Sequence, residues 1–235
     1  MPDIYLIRHT TPAVAKGVCY GQTDLDVTAS FEAEATVIRE CLPAAVGAVY
    51  TSPLRRCSML ASRLFPDSPI QLREALMEIH CGDWEMKTWD ELPKETVDPW
   101  MADFVNIRIP GGESYIDLHT RVSRCWDEIV AAASAAPPQA AVPSSDLEAF
   151  GETSTEPGKA PSPVAVVAHG GVIRSILAGL TGTPLINSFK AFSLHYGCVI
   201  RLQGPAGGLV HTVLSNIAPL EKEQHKPSSF YSNKR

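Results

Sequence analysis

The sequence predicts an α/β domain in three layers, with helices on both faces of a largely parallel central sheet. Three segments predict it: "IYLIRH" from residue 4, "AVGAVYTSPLRRCSMLASRLF" from residue 45 and "VAVVAHGGVIRSILAGL" from residue 164. Each starts as a short apolar run rich in β-branched or aromatic residues, which fits a buried strand better than a helix. Each then ends in polar residues, and the second and third pass straight into a helix signal. Parallel strands joined by right-handed crossovers would bring the three exits to one edge of the sheet, where open α/β sheets bind their ligands.

The elements follow in order. Ile4, Tyr5, Leu6 and Ile7 form the first strand, Arg8 and His9 stand at its exit, and the chain turns at Pro12. Phe31, Ala35, Ile38 and Leu42 keep helical spacing after a cap at Thr28. In the second segment Ser52 is the candidate N-cap and Pro53 takes the favoured first helical position. Leu118, Val122, Cys125 and Ile129 mark another amphipathic helix after "PGGES". Residues 131–163 are rich in Ala, Pro and Ser without a sustained period, and read as a flexible insertion. In the third segment His169 ends the strand and a Gly-Gly pair opens the helix. "VIRLQGPAGGLVHTVLSN" predicts a terminal hairpin turning at "GPAGG", and the residues from about 222 to 235 form a loose tail. All of this fits one domain over residues 1–235.

Bulk properties narrow the function classes. No apolar run approaches the roughly eighteen residues of a membrane span, and Asp3 stands where a signal peptide carries basic residues, so a cytoplasmic protein is expected. Six scattered cysteines without a CxxC pair are expected to be reduced and mostly buried. A net charge of −6 with no long Lys/Arg run argues against nucleic acid as a partner. An anionic substrate would need a local cationic cluster to overcome the global sign.

Converging strand exits would supply that cluster by collecting Arg8, His9, Arg56 and His169. Guanidinium forks match phosphate oxygens, and helix N-termini add backbone N–H groups aimed at an anion. A neutral imidazole is a competent nucleophile towards phosphorus, giving a phosphohistidine that water later hydrolyses. A phosphoryl group is the guest this chemistry suits.

"RHT" after the first strand, "TSPLRRCSML" after the second, "LMEIHCGDWE" further on and "VAHGG" after the third resemble the histidine phosphatase superfamily, in its phosphoglycerate-mutase-like branch. The resemblance implies the fold of that branch and a phosphomonoester hydrolase working through phospho-His9. Arg8 and Arg56 would hold phosphoryl oxygens, His169 would be the second pocket histidine, and Arg55 should point elsewhere. Glu78 would be the general acid, and a carboxyl group facing a dianion keeps its proton more readily. No metal or cofactor is implied, because the Arg/His pocket carries the positive charge.

The secondary motifs "VCYGQTDLDVT", "GDWEMKTWDELP" and "PGGESYIDLHTRV" look most like those of α-ribazole phosphatases, which act on α-ribazole 5′-phosphate in assembly of the cobalamin lower ligand. That resemblance puts Tyr20, Gln22 and Thr23 near the phosphate entrance, with Gly170 beside it, and makes Trp84 and Tyr115 an aromatic wall for a base-like ring. Two positions depart from the family pattern, since Thr10 replaces a usual glycine and Ala15 a frequent asparagine. Gln22 or Thr23 would then replace a phosphate contact. The rival readings are phosphoglycerate mutase or another sugar or nucleotide phosphatase of the branch, and, from a different class, a non-catalytic binder of phosphorylated ligands.

Other residues read as structural. His119, His195 and His211 fit structural roles, with His195 in "FSLHYGCV" a secondary candidate for the crevice, Trp89, Trp100 and Trp126 fit packing roles, and His80 with Cys81 lacks the second ligand pair of a zinc site. The expected partner is a small-molecule phosphomonoester, with no nucleic acid and no membrane. Monomer and homodimer both stay open.

Overall fold

The computed structural model describes residues 1–135 and 161–218. Its strands are β1 (Ile4–Arg8), β2 (Ala48–Thr51), β3 (Ile70–Leu72), β4 (Val164–Ala168), β5 (Val199–Gln203) and β6 (Val210–Ser215). They form one sheet in the order β3-β2-β4-β1-β5-β6. β3, β2, β4 and β1 pair in parallel, while β5 runs antiparallel to β1 and to β6. The sheet is therefore mostly parallel, with the terminal hairpin added at one edge.

Alternation along the central strands explains the layers. Ile4 and Leu6 of β1 share one cluster with Val164 and Val166 of β4, whereas Tyr5, Ile7, Ala165 and Val167 face the other side. Successive strand residues point to opposite faces, so a strand apolar throughout needs a cover on each. One cover is α4 (Tyr115–Ala135) with α5 (Gly170–Thr181), and the other is α1 (Phe31–Glu40) with α2 (Arg55–Leu64). Val172, Ile173, Ile176 and Leu177 of α5 are all buried. Each contributes about 1.5–3 kcal/mol by leaving water, which fixes the helix whose first turn carries the site.

A third cluster stands apart from the sheet. Cys19, Cys81, Trp84, Trp89, Leu92, Ile109 and Val97 of α3 (Lys94–Ala102) make a small core beyond the strand exits. The remaining helix is the single turn α6 (Ser188–Ala191).

Several sequence expectations need correction at the ends of elements. Ser30, not Thr28, precedes α1, and the Thr28 hydroxyl instead bonds the Ser30 hydroxyl. Leu54 caps α2 in extended geometry, so Pro53 lies outside the helix and Ser52 serves the site below. α4 continues through Ala135, so the first five residues of the expected insertion are helical; 136–160, like the tail from 219, lie outside the described residues. All six cysteines are free and only Cys41 is not fully buried. Among the described residues no helix is long and apolar enough to cross a membrane.

Candidate active site

The strand exits do converge. β1 and β2 both pair with β4 in parallel, so Arg8–His9, Ser52 and His169 leave the sheet on one edge. His9 is fixed by its neighbours' backbones: its N–H donates to Ala168 C=O at 3.0 Å, and its own C=O accepts from Gly197 N–H at 3.1 Å. Its ring contacts those of His169, at a centroid distance of 5.1 Å, and Tyr196, at 5.4 Å.

The tautomer of His9 follows from one bond. Nδ1 lies 2.7 Å from the Thr10 carbonyl oxygen, and a carbonyl only accepts. Nδ1 therefore carries the hydrogen, and in the neutral ring Nε2 keeps the lone pair that attack on phosphorus needs. Thr10 is buried and not at positive φ, so the position does not require glycine.

The arginines are held from behind. Arg8 Nη1 donates to Leu194 C=O at 2.5 Å, and the guanidinium lies 4.0 Å from the centre of the Tyr196 ring. Arg56, wholly buried, donates from Nη1 to Thr23 C=O and from Nη2 to Gly21 C=O, each at 2.8 Å. Its Nε has no partner among the described residues. A guanidinium has five N–H donors, so Arg56 keeps several for an anion after fixing the 21–23 loop. Arg55 instead pairs with Asp26 at the surface.

His169 is buried at the base. Its Nε2 meets Ser52 Oγ at 2.9 Å and Cys57 Sγ at 3.4 Å. Burial, then the positive charges of Arg56, His9 and Arg8, push its pKa well below the ordinary histidine value. The folded protein thus resists a proton that the unfolded chain accepts near pH ~6.5. Stability should fall as pH drops below that value, because the unfolded state then binds more protons. Burial lowers the His119 pKa in the same direction. Urea titrations between pH 7 and pH 5 should show the loss, with a slope of up to about 1.4 kcal/mol per pH unit per histidine. His169→Gln should remove one histidine's share; an unchanged slope would refute the assignment.

Glu78 faces the cavity that opens above this pocket. Its Oε2 accepts from Gly171 N–H and its Oε1 from Ile79 N–H, both at 3.0 Å. The Gly171 donor belongs to the first turn of α5, where amides have no helical partner and the dipole favours negative charge. Behind Glu78, Arg121 of α4 bonds the carbonyls of Ala75, Met77 and Glu78 at 2.7–2.9 Å and both oxygens of Glu113 at 2.8 Å. Burial opposes ionisation of Glu113, but the Arg121 bonds and the His80 N–H outweigh it and hold that carboxyl below its usual range. The "PGGES" motif thus holds the backbone of the acid.

The cavity has a volume of about 350 Å³. Arg8, Glu78, Tyr20, Tyr115 and Gly170 are among the residues that line it; His9, Arg56, His169, Gln22, Thr23 and Trp84 are not. Gln22 spends its side-chain N–H on the Glu78 carbonyl at 2.9 Å, and Thr23 Oγ1 donates to Glu85 at 2.5 Å, so both serve as loop ties. Trp84 is fully buried behind the wall, edge-on to Trp89 and Trp100. Those two tryptophans pack in the same cluster, as expected, stack at 5.9 Å and also line the cavity. Tyr115 helps in a second way, donating its hydroxyl to Gly171 C=O at 3.1 Å.

Arg174 and Tyr196 also line the cavity and were not singled out from sequence. The available signal was local: Arg174 closes "HGGVIR", and Tyr196 follows His195, whose backbone instead bonds Asn216. Among the described residues no group of three or more His, Cys, Asp or Glu gathers as a metal site.

This sheet, with paired histidines and arginines at its parallel exits, defines a phosphoryl-handling α/β enzyme. The chain belongs to the histidine phosphatase superfamily (branch 1), whose family model matches residues 4–142 and 148–217. It is 27% identical over 225 residues to a Hydrogenobacter thermophilus protein named "Putative phosphoserine phosphatase 2", covering 90% of this chain and 95% of that one. The α-ribazole phosphatase of Shigella flexneri shares the fold with a TM-score of 0.74 at 20% identity, over 94% of this chain and 100% of the other. A mycobacterial glucosyl-3-phosphoglycerate phosphatase does so with a TM-score of 0.67 at 20% identity, over 90% and 96%.

Proposed function

We propose that this histidine phosphatase hydrolyses a small phosphomonoester in two in-line transfers through phospho-His9. The observation that carries the reading is the Nδ1–H bond from His9 to Thr10, which leaves Nε2 as the nucleophile beside Arg8 and His169. In the first transfer the Nε2–P bond forms, the P–O bond to the alcohol breaks, and Glu78 gives its proton to the leaving oxygen. In the second, Glu78 takes a proton from water, the water oxygen bonds phosphorus, and the P–N bond breaks to release inorganic phosphate. Arg8 and Arg56 neutralise the charge on the non-bridging oxygens, the main demand of phosphoryl transfer.

For the substrate, α-ribazole 5′-phosphate is the leading reading. The stacked Trp89 and Trp100 faces and Tyr115 support it, because they suit an alcohol carrying a flat ring. Phosphoserine is the second reading, favoured by the Hydrogenobacter relative. The deciding measurement is kcat/KM for both esters and for 3-phosphoglycerate. The ring-bearing ester should be preferred by about tenfold or more, on the scale of a buried apolar contact. Equal values, or a preference for phosphoserine, would reject the α-ribazole reading.

A further inference from the structure

We infer that Arg174 is a third guanidinium of the phosphoryl site, binding a non-bridging oxygen from the side of the leaving group. This inference rests on the hydrolase reading above and adds a group to its pocket. Arg174 lies one turn beyond Gly170 on α5, and long side chains on a helix lean back over the preceding turn. Its guanidinium therefore returns to the N-terminus of the helix, where the site is. A Cβ built on Gly170 would stand 3.0 Å from Arg174 Nη1 and 3.3 Å from Arg8 Nε. Two guanidinium groups thus converge on one glycine. The next residue, Gly171, donates its N–H to Glu78, so the convergence lies beside the acid.

The placement is built and not a surface accident. Arg174 is 8% exposed, its Nε donates to Phe192 C=O at 3.1 Å, and its guanidinium lies 4.5 Å from the centre of the Phe189 ring. Backbone carbonyl and ring together fix the plane of the fork while Nη1 is directed at Gly170. Phe189 also meets Phe104 edge-on at 5.2 Å, which joins this support to the aromatic wall. Burying a cation at this cost is reasonable where a dianion is to be met, because the bond is charge-assisted and the surroundings exclude water. Placed near Glu78, Arg174 would meet the oxygens as charge shifts towards the leaving group. It also gives position 170 a reason to be glycine, since a Cβ there would press on both arginines.

The test uses Arg174→Gln and Arg174→Lys in the full-length protein. Three quantities are read: kcat/KM for p-nitrophenyl phosphate, kcat/KM for phosphoserine, and inhibition by orthovanadate, which has no alcohol portion. The inference requires Arg174→Gln to lose about 10²-fold with both esters and to weaken vanadate by a comparable factor, with Arg174→Lys recovering part of each. Unchanged vanadate and p-nitrophenyl phosphate values overturn it; if phosphoserine alone suffers, the arginine reads the alcohol and not the phosphoryl group. Should Arg174→Gln fail to fold, Arg174→Lys and Gly170→Ala carry the same comparison. An unaltered protein that binds vanadate but releases no phosphate would sink the hydrolase reading, and vanadate affinity would still decide the role of Arg174.

Discussion

His9→Ala is expected to lower phosphate release by about 10⁴-fold or more, with both the burst and the steady state lost. The loss is large because the proposed cycle consumes and reforms this residue. His169 cannot substitute, since its Nε2 is engaged with Ser52 at 2.9 Å at the buried base of the pocket. The fold should survive, as the His9 backbone bonds to Ala168 and Gly197 do not involve the ring. Substrate affinity should change far less than turnover, since the arginines remain. Rapid acid-free quenching with radiolabelled ester provides the check: the parent protein should carry label on histidine and the variant none. Substantial turnover by His9→Ala would dismiss the covalent route and leave direct attack by water.

Much of this site was legible because it depends on chain direction. Parallel strands place their exits together, so Arg8, His9, Arg56 and His169 could be gathered from sequence, whereas Ser52 reads there only as a helix cap. The motif containing Glu78 was legible for its residue type, but not for the reason it is held. That reason lies 43 residues away, in the bond from Arg121 to the Glu78 carbonyl. Periodicity and motif resemblance assign a residue to an element or a segment, not to a side of a cavity. Resemblance offers Trp84 as a wall, yet it is one of three tryptophans in a small cluster where Trp89 and Trp100 pack as the sequence suggests. Trp84 sits in a tight turn at its centre, and the other two also line the cavity. A polar side chain near an entrance can serve either a ligand or a neighbouring loop: the Gln22 side chain bonds the Glu78 carbonyl and the Thr23 hydroxyl bonds Glu85.

Gly171→Ala is expected to behave like a mutation of the acid while leaving the fold intact. A Cβ at this position would lie 2.3 Å from Glu78 Oε1, so the two cannot coexist in the present arrangement. Neither partner is at positive φ, and alanine favours helix over glycine by about 0.8–1.0 kcal/mol, so the backbone of α5 has no cause to move. The end of a flexible side chain is what yields. Glu78 would swing away, its bond from Gly171 N–H would break or lengthen, and the carboxyl would leave the path of the departing oxygen. General acid catalysis is worth about 10²–10⁴-fold, and most where the leaving alcohol is poor. Alkyl phosphates should therefore slow by about that factor, whereas p-nitrophenyl phosphate, whose phenolate departs without a proton, should slow much less. Glu78→Gln should show the same dependence on leaving group, and the double variant should be no worse than either single one if both act through one carboxyl. Thermal melting separates this from general damage: Gly171→Ala should keep its Tm to within a few degrees. A variant that lost activity equally on every ester, or melted far lower, would show that the glycine serves packing and not the acid.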